Sequence, residues 1–137
     1  MKCAVMSDPL LIDTSVWIDF FKGVDNENVN IFTDYIENNY PVFTCPVIIQ
    51  EILQGIKSDK EYARIKDNLF ALNVLNDDAI EAAIGAAEIY RILRKKGVTV
   101  RKSNDCLIAF YALKYSLRIL HNDRDFDKIL SSLGSVS

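Results

Sequence analysis

The sequence predicts an α/β fold: a single three-layer α/β/α domain around a mainly parallel central sheet of four to five strands. Two observations predict it. Short apolar runs alternate with longer segments of helical periodicity, and acidic residues stand where several of these segments end. Repeated strand–helix units arrange strands in parallel and place helices on both faces of the sheet. We therefore expect one domain over residues 1–137.

The composition favours an ordinary globular protein. A chain of 137 residues can bury a sizeable core, and 50% of its residues are hydrophobic. The net charge of −3 does not predict nucleic-acid binding, but an acidic site can lie beside a locally basic surface. No apolar run approaches the ~20 residues of a membrane span. The apolar stretch at the N-terminus is too short for a signal peptide, and Asp8 and Pro9 interrupt it. We expect a soluble, cytoplasmic protein.

The cysteines and the histidine exclude a zinc site of the cysteine–histidine type. Cys3, Cys45 and Cys106 are widely spaced, and His121 is the single histidine. We expect reduced, mostly buried thiols.

Four segments are typical of strands. Residues 10–12 form an apolar run suited to a strand buried on both faces. The others are residues 42–45, a weak strand around Val74, and residues 117–120.

Apolar spacing and end signals predict the helices. They cover a short segment ending near Gly23, then residues 28–37, 46–54 with Pro46 first, 59–72, a long helix that Asp77 and Asp78 cap, a helix through Tyr115 that Ser103 or Asn104 caps, and residues 125–133. The long helix is expected to bury one apolar stripe: Ile80, Ala83, Ile84, Ala87 and Tyr90. The helix ending at Tyr115 is apolar almost all round and is predicted to be central.

Four acidic residues occupy positions where ligands bind in such folds. Asp13 follows the first strand and Asp123 follows the last one, so both face the carboxyl edge of the sheet. Glu51 lies at the border of the apolar face of its helix. Asp105 shares a face with the apolar residues three, four and seven positions later, so we expect it to point inward.

Together these acids favour a divalent cation. Buried carboxylates are costly, and converging ones repel each other unless a cation lies between them. Oxygen ligands suit Mg²⁺ or Mn²⁺ better than zinc. Singly, each acid has a simpler explanation: Asp13 as a helix cap, Glu51 as an exposed helix residue, Asp105 as a first-turn acid, and Asp123 as a turn residue with Asp125 or Asp127 as competitors.

Around these acids the chain resembles the PIN-domain ribonucleases, specifically the VapC-type toxins of toxin–antitoxin pairs. The segments IDTSVWIDF, PVIIQEILQG, NDCLIAFYAL and NDRDF carry the resemblance, which extends over a core of about residues 10–130. It implies an endoribonuclease that depends on Mg²⁺ or Mn²⁺. Asp13, Asp105 and Asp123 would hold the metal, and Glu51 would be a further ligand or orient the attacking water.

The resemblance also implies supporting residues and partners. Asp125 matches a second, more variable acid, and Thr14 or Ser15 would supply a hydroxyl beside Asp13. His121 departs from the threonine or serine that the family often has, and we expect it to hydrogen-bond to backbone. Such toxins usually form homodimers and are blocked by an antitoxin that covers the site. Exposed aromatic surface would mark a protein interface; the candidates are Trp17, Phe20 and Phe21, with core packing as the alternative for each.

One basic segment is the candidate for RNA contacts. It contains Arg91, Arg94, Lys95, Lys96, Arg101 and Lys102 and runs toward Asp105. A solvated helix end that complements the helix dipole is the alternative. Tyr111 and Tyr115 are expected to pack against helices rather than to stack on bases.

Other functions fit the sequence less well. A phosphoaspartyl phosphatase needs a second acid two residues after Asp13, where Ser15 stands. A receiver domain needs a lysine after a late strand, and residues 120–122 offer none. A catalytically silent PIN scaffold that binds RNA or protein, and a DNA-directed structure-specific nuclease, remain as alternatives.

Overall fold

The computed structural model describes residues 8–134. Within this range the strands are β1 (Leu10–Ile12), β2 (Val42–Thr44), β3 (Asn73–Val74) and β4 (Arg118–Leu120). The helices are α1 (Thr14–Phe21), α2 (Glu27–Glu37), α3 (Pro46–Gln54), α4 (Asp59–Phe70), α5 (Ala79–Lys95), α6 (Asn104–Tyr115) and α7 (Arg124–Leu133). Each predicted strand and helix is present. Cys3 and most of the segment considered as a signal peptide lie outside the described residues.

The central sheet is parallel, as predicted. Its strand order is β3-β2-β1-β4, and each neighbouring pair runs in the same direction. β1 is in the middle and all three of its residues are buried. The pairing of β1 with β4 continues one residue further, because the Asp13 N–H donates to the Leu120 carbonyl at 2.9 Å. The carboxyl ends of the strands therefore meet at one edge, where Asp13 is the N-cap residue of α1.

The core has two parts. The larger one contains the sheet and the buried faces of α1 to α4 and α6. The smaller one lies where α5, α6 and α7 meet, and includes Leu93, Cys106 and Ile129. Burial raises the pKa of the Cys45 thiol to about 12 and that of Cys106 to about 11. Both cysteines are free and buried, as expected, and stay protonated at neutral pH.

The predicted apolar stripe of α5 is wrong. Ile80 and Ile84 are 69% and 55% exposed, Ala83 and Ala87 are exposed, and Tyr90 is half-buried. The buried face consists instead of Ala82, Ala86, Ile89 and Leu93. The helix has apolar residues on two faces, and α6 packs against the face beside Gly85. Gly85 marks how near α6 lies, because a Cβ atom there would be 2.3 Å from Cδ1 of Phe110.

The two acids before α5 have different roles. The Asp78 carboxylate accepts hydrogen bonds from the backbone N–H groups of Ile80 and Glu81 at 2.9 and 3.0 Å, so it caps the helix. Asp77 instead accepts hydrogen bonds from Lys114 and Tyr115 and joins α6 to the start of α5. The prediction that both residues cap the helix is therefore correct for Asp78 and wrong for Asp77. No helix in residues 8–134 is long and apolar enough to span a membrane.

We predict that Gly85→Ala destabilises the protein. Glycine to alanine in a helix interior normally stabilises by roughly 1 kcal/mol, but overpacking against Phe110 costs about 1–3 kcal/mol. The control is Gly55→Ala, where a Cβ atom would meet nothing closer than 3.7 Å. Urea unfolding followed by circular dichroism should give a lower free energy of unfolding for Gly85→Ala than for Gly55→Ala. Equal stabilities, or the reverse order, would contradict the close approach of α5 and α6.

Candidate active site

The structure brings the four predicted acids together at the carboxyl edge of the sheet. Asp13 directly follows β1, Asp123 follows β4, Glu51 lies on α3 and Asp105 is in the first turn of α6. The carboxylate of Asp105 interacts electrostatically with the other three, and that of Asp13 with Glu51. Asp13 and Asp105 are each only 4% exposed. The cluster thus contains two deeply buried carboxylates.

Asp13 caps α1 and also faces the cluster. Its Oδ2 accepts hydrogen bonds from the backbone N–H of Ser15 at 3.0 Å and from the Ser15 hydroxyl at 2.5 Å. Burial nevertheless raises the pKa of this carboxyl, and the charge of Glu51 acts in the same direction. The capping role and the site role therefore coexist in one residue.

Asp105 is the least satisfied of the four acids. Its Oδ2 is buried and has no hydrogen-bond partner among the described residues. Burial raises the pKa of Asp105 to about 7. Lys102 lowers this pKa, whereas the charges of Asp13, Asp123 and Glu51 raise it further. A buried carboxylate oxygen without a donor normally needs a cation or a proton.

Glu51 is held by one donor at each oxygen. The Thr14 hydroxyl donates to Oε1 at 2.6 Å, and the Asn104 side-chain amide donates to Oε2 at 3.2 Å. These bonds tie α3 to the first residues of α1 and α6. The predicted supporting role of a hydroxyl next to Asp13 is thus divided: Ser15 contacts Asp13 and Thr14 contacts Glu51. Asn104 was expected only as a helix cap.

Asp123 caps α7 and pairs with a lysine. Its Oδ1 accepts from the Asp125 backbone N–H at 2.9 Å, and its Oδ2 accepts from the Lys102 ammonium at 2.7 Å. Partial burial acts to raise the pKa of Asp123, but these two hydrogen bonds outweigh it and the pKa lies below its ordinary value. Asp125 contributes its backbone N–H to this arrangement, and its side chain is half-buried.

A polar network fixes the loop that carries Asp123. The Asn122 backbone N–H donates to the Ser15 hydroxyl oxygen at 2.9 Å, and its side-chain amide donates to Asp19 at 2.8 Å. The Asn28 amide donates to the His121 carbonyl at 2.8 Å. Sequence reasoning missed Asn28, Asp19 and Asn122, because their partners lie up to 107 positions away. Nothing local distinguishes these residues from surface polar groups.

His121 behaves as predicted. Its Nδ1 accepts a hydrogen bond from the backbone N–H of Asp123 at 3.3 Å. Its ring packs against Phe126, with the ring centroids 5.3 Å apart. The residue therefore shapes the backbone just before Asp123.

The basic segment is exposed, and one of its residues contacts the acids. All six of its members are solvent-exposed: Arg91, Arg94, Lys95, Lys96, Arg101 and Lys102. Arg91 and Arg94 line a groove of about 490 Å³ that also contains Asn104, the partner of Glu51. Lys102 reaches Asp123 directly, whereas Lys96 donates to the Ser132 carbonyl at 2.6 Å.

The donor set fits a hard divalent cation, although the side chains are not gathered around one. No three Asp, Glu, His or Cys side chains within residues 8–134 are arranged to hold a metal ion as they stand. Asp13 and Glu51 direct oxygens toward Ser15, Thr14 and Asn104, and Asp123 pairs with Lys102. The group is nonetheless all-oxygen and includes the unpartnered Oδ2 of Asp105, which is the chemistry that Mg²⁺ and Mn²⁺ prefer.

Residues 10–130 match the PIN domain family, and the chain belongs to that family. It is 40% identical over 124 residues to a VapC ribonuclease of Mycobacterium bovis and to ribonuclease VapC11 of Mycobacterium tuberculosis. Each match covers 88% of this chain and 90% of the relative. Within the family, the chain therefore groups with the VapC ribonucleases.

Solved structures share the same fold. A chain of the DNA-bound VapBC complex from Salmonella typhimurium has a TM-score of 0.69 and 23% identity, with 89% of this chain and 92% of that chain covered. A chain of the FitAcB structure from Neisseria gonorrhoeae has a TM-score of 0.68 and 21% identity, with 88% and 92% covered. The predicted PIN-like architecture is confirmed.

We predict that the metal-free protein loses stability as the pH rises from about 5 to about 7. The pKa of Asp105 is about 7 in the folded protein and near 3.8 in the unfolded chain. In this window the folded state therefore binds more protons than the unfolded chain does. As a result, the free energy of unfolding falls as the pH rises toward 7. The raised pKa of Asp13 adds a loss of the same sign. One such group gives at most about 1.4 kcal/mol per pH unit.

Urea unfolding in metal-free buffer at several pH values tests this. Asp105→Asn should have a smaller decline with pH than the native chain, while the exposed Asp67→Asn control should keep the native decline. Identical pH profiles for all three proteins would show that Asp105 titrates as an ordinary carboxyl.

Proposed function

We propose that the protein is the toxin of a toxin–antitoxin pair and an endoribonuclease that hydrolyses phosphodiester bonds in RNA with a bound Mg²⁺ or Mn²⁺. The observation that carries the proposal is the Asp105 carboxylate, which is buried without a hydrogen-bond donor at Oδ2 among three other carboxylates. The 40% identity to VapC ribonucleases supports it.

Asp13, Asp105 and Asp123 are the residues that would hold the cation. When bound, a divalent cation makes water a usable nucleophile near neutral pH and stabilises negative charge on phosphate oxygens. Asp13 and Asp105 are buried, so their carboxylates are shielded from water. Asp123 is part-exposed and borders the solvent side of the cluster.

Glu51 is suited to orienting the attacking water. Thr14 donates to one of its oxygens and Asn104 to the other, so hydrogen bonds hold the carboxylate in place. It is half-buried, which leaves it accessible to a water and to the substrate. Thr14 and Ser15 position the two carboxylates by direct hydrogen bonds and take no part in bond cleavage.

The RNA backbone is proposed to approach over the ends of α5 and α6. The groove that Arg91 and Arg94 line leads to Asn104, beside Glu51. Guanidinium and ammonium groups there would contact phosphates and reduce the repulsion between the RNA and the acidic cluster. Lys95, Lys96, Arg101 and Lys102 extend the same positive surface.

The antitoxin is proposed to occupy an apolar groove next to α1. A cavity of about 640 Å³ there is lined by Trp17, Phe20 and Phe21 together with residues of α2 and α4. Phe20 and Phe21 are 37% and 41% exposed, whereas Trp17 is buried. Phe21 also lines a neighbouring groove of about 450 Å³ that reaches Glu51. A partner segment lying along both grooves would cover the acidic cluster.

A homodimer is proposed to form through the exposed face of α5. Ile80 and Ile84 are the most exposed isoleucines on it, and Ala83 and Ala87 are exposed on the same face. An apolar helix face of this kind is typical of a protein–protein contact.

We predict that Asp13→Asn and Asp105→Asn each lower RNA cleavage by about a hundredfold or more, since each removes a charged ligand and the chemistry it supports. The assay incubates the purified proteins with total RNA in Mg²⁺, in Mn²⁺ and in EDTA. The native chain should produce discrete fragments that are absent in EDTA and in both variants. The control is Asp67→Asn on α4, which should cleave normally.

Native activity in either folded variant would contradict the assignment, with folding checked by circular dichroism. Parallel reactions with single- and double-stranded DNA separate the alternatives. Cleavage of DNA but not RNA would indicate a DNA-directed nuclease. Binding of RNA without cleavage under any metal condition would indicate a silent scaffold.

We predict that replacing Arg91 and Arg94 together with glutamine raises KM for RNA about three- to tenfold with little change in kcat, because phosphate contacts contribute mainly to binding. The KM of the variant should also depend less steeply on salt concentration. The matched control replaces Lys60 and Lys66, two exposed lysines on α4, with glutamine. An equal rise in KM in the control would show that net charge alone explains the effect.

A further inference from the structure

Lys102 is the basic residue that lies against the acidic cluster. Its ammonium donates to Oδ2 of Asp123 at 2.7 Å. Among the ion pairs formed within residues 8–134, no other lysine or arginine pairs with Asp13, Glu51, Asp105 or Asp123. The same ammonium also interacts favourably with the carboxylates of Asp13 and Asp105.

The backbone holds Lys102 in this place. Its carbonyl accepts a hydrogen bond from the Asp105 backbone N–H at 3.0 Å, so Lys102 belongs to the turn from which Asp105 enters the cluster. Its side chain then reaches Asp123, the N-cap residue of α7. Lys102 therefore connects two of the elements that carry the acids.

We propose that Lys102 is a built-in counter-ion of the carboxylates, which competes with the divalent cation for Asp123 and thereby weakens cation binding. This inference rests on the proposed metal site. Asp123 has one oxygen bonded to the Asp125 N–H and the other to Lys102. A cation that ligates Asp123 therefore displaces the ammonium, which is then free to contact a phosphate oxygen of the RNA.

The expected strength of the competition follows from solvent exposure. The Lys102 side chain is 57% exposed and that of Asp123 is 18% exposed. An ion pair with one partner in solvent is weak and corresponds to a factor of up to about five in an equilibrium constant. Two further carboxylates interact with the same ammonium, which raises the effect. Lys102 thus adjusts cation affinity without preventing binding.

Calorimetric titration of the purified full-length chain with Mn²⁺ in the absence of RNA tests the proposal. Lys102→Met should bind Mn²⁺ with a Kd about three- to tenfold lower than the native chain. Lys102→Arg, which keeps the charge, and Lys66→Met, which removes an exposed lysine on α4, should stay within about twofold of the native Kd. A Kd for Lys102→Met that is unchanged or higher would overturn the proposal, as would an equal gain for Lys66→Met.

Thermal unfolding gives a second readout that is independent of activity. At one fixed Mn²⁺ concentration, the rise in Tm relative to EDTA should be larger for Lys102→Met than for the native chain, because tighter binding stabilises the folded state more. Lys102→Gln serves the same purpose if the methionine variant folds poorly. Equal rises in Tm would overturn the proposal.

The titration also separates this inference from the proposed function. If the native chain binds Mn²⁺ and Lys102→Met gains nothing, the competition is refuted and the metal site stands. If neither the native chain nor any variant binds Mn²⁺ at millimolar concentration, both the metal site and the competition are refuted.

Discussion

The burial of negative charge at the carboxyl edge of the sheet is the constraint on which the rest of this structure depends. Parallel pairing of β1 with β4 places Asp13 and the Asp123 loop side by side, and α6 directs Asp105 into the same place. Removing carboxylates from water is costly, and their mutual repulsion adds to that cost. The cost of burial is the main reason that the pKa values of Asp13 and Asp105 are raised.

Hydrogen-bond donors of the chain itself offset part of this cost for three of the four acids. Ser15 donates to Asp13, Thr14 and Asn104 donate to Glu51, and Lys102 donates to Asp123. Asp105 receives no donor at Oδ2 among the described residues. A buried oxygen without a hydrogen-bond donor lowers the stability of the folded protein but favours the binding of a cation. The packing at this edge of the sheet is therefore connected to the nuclease chemistry proposed for it.

Local signals explain what the sequence could predict, and long-range contacts explain what it could not. Asp13 and Asp105 stand next to apolar runs, so their burial was predictable from spacing. The buried face of α5 was not predictable in this way, because the helix has two apolar faces. Which face is buried depends on the close contact between Gly85 and Phe110. The Lys102–Asp123 pair and the Asn122 contacts join residues far apart in sequence, so no local pattern indicates them.

A crystal structure of the protein grown with Mn²⁺ tests the metal site through the anomalous signal of the metal. We expect a peak within bonding distance of carboxylate oxygens of Asp13, Asp105 and Asp123, with Oδ2 of Asp105 among the ligands and Lys102 moved away from Asp123. Absence of a peak at millimolar Mn²⁺, with Lys102 still bonded to Asp123, would contradict it. The buried carboxylates would then require a different explanation.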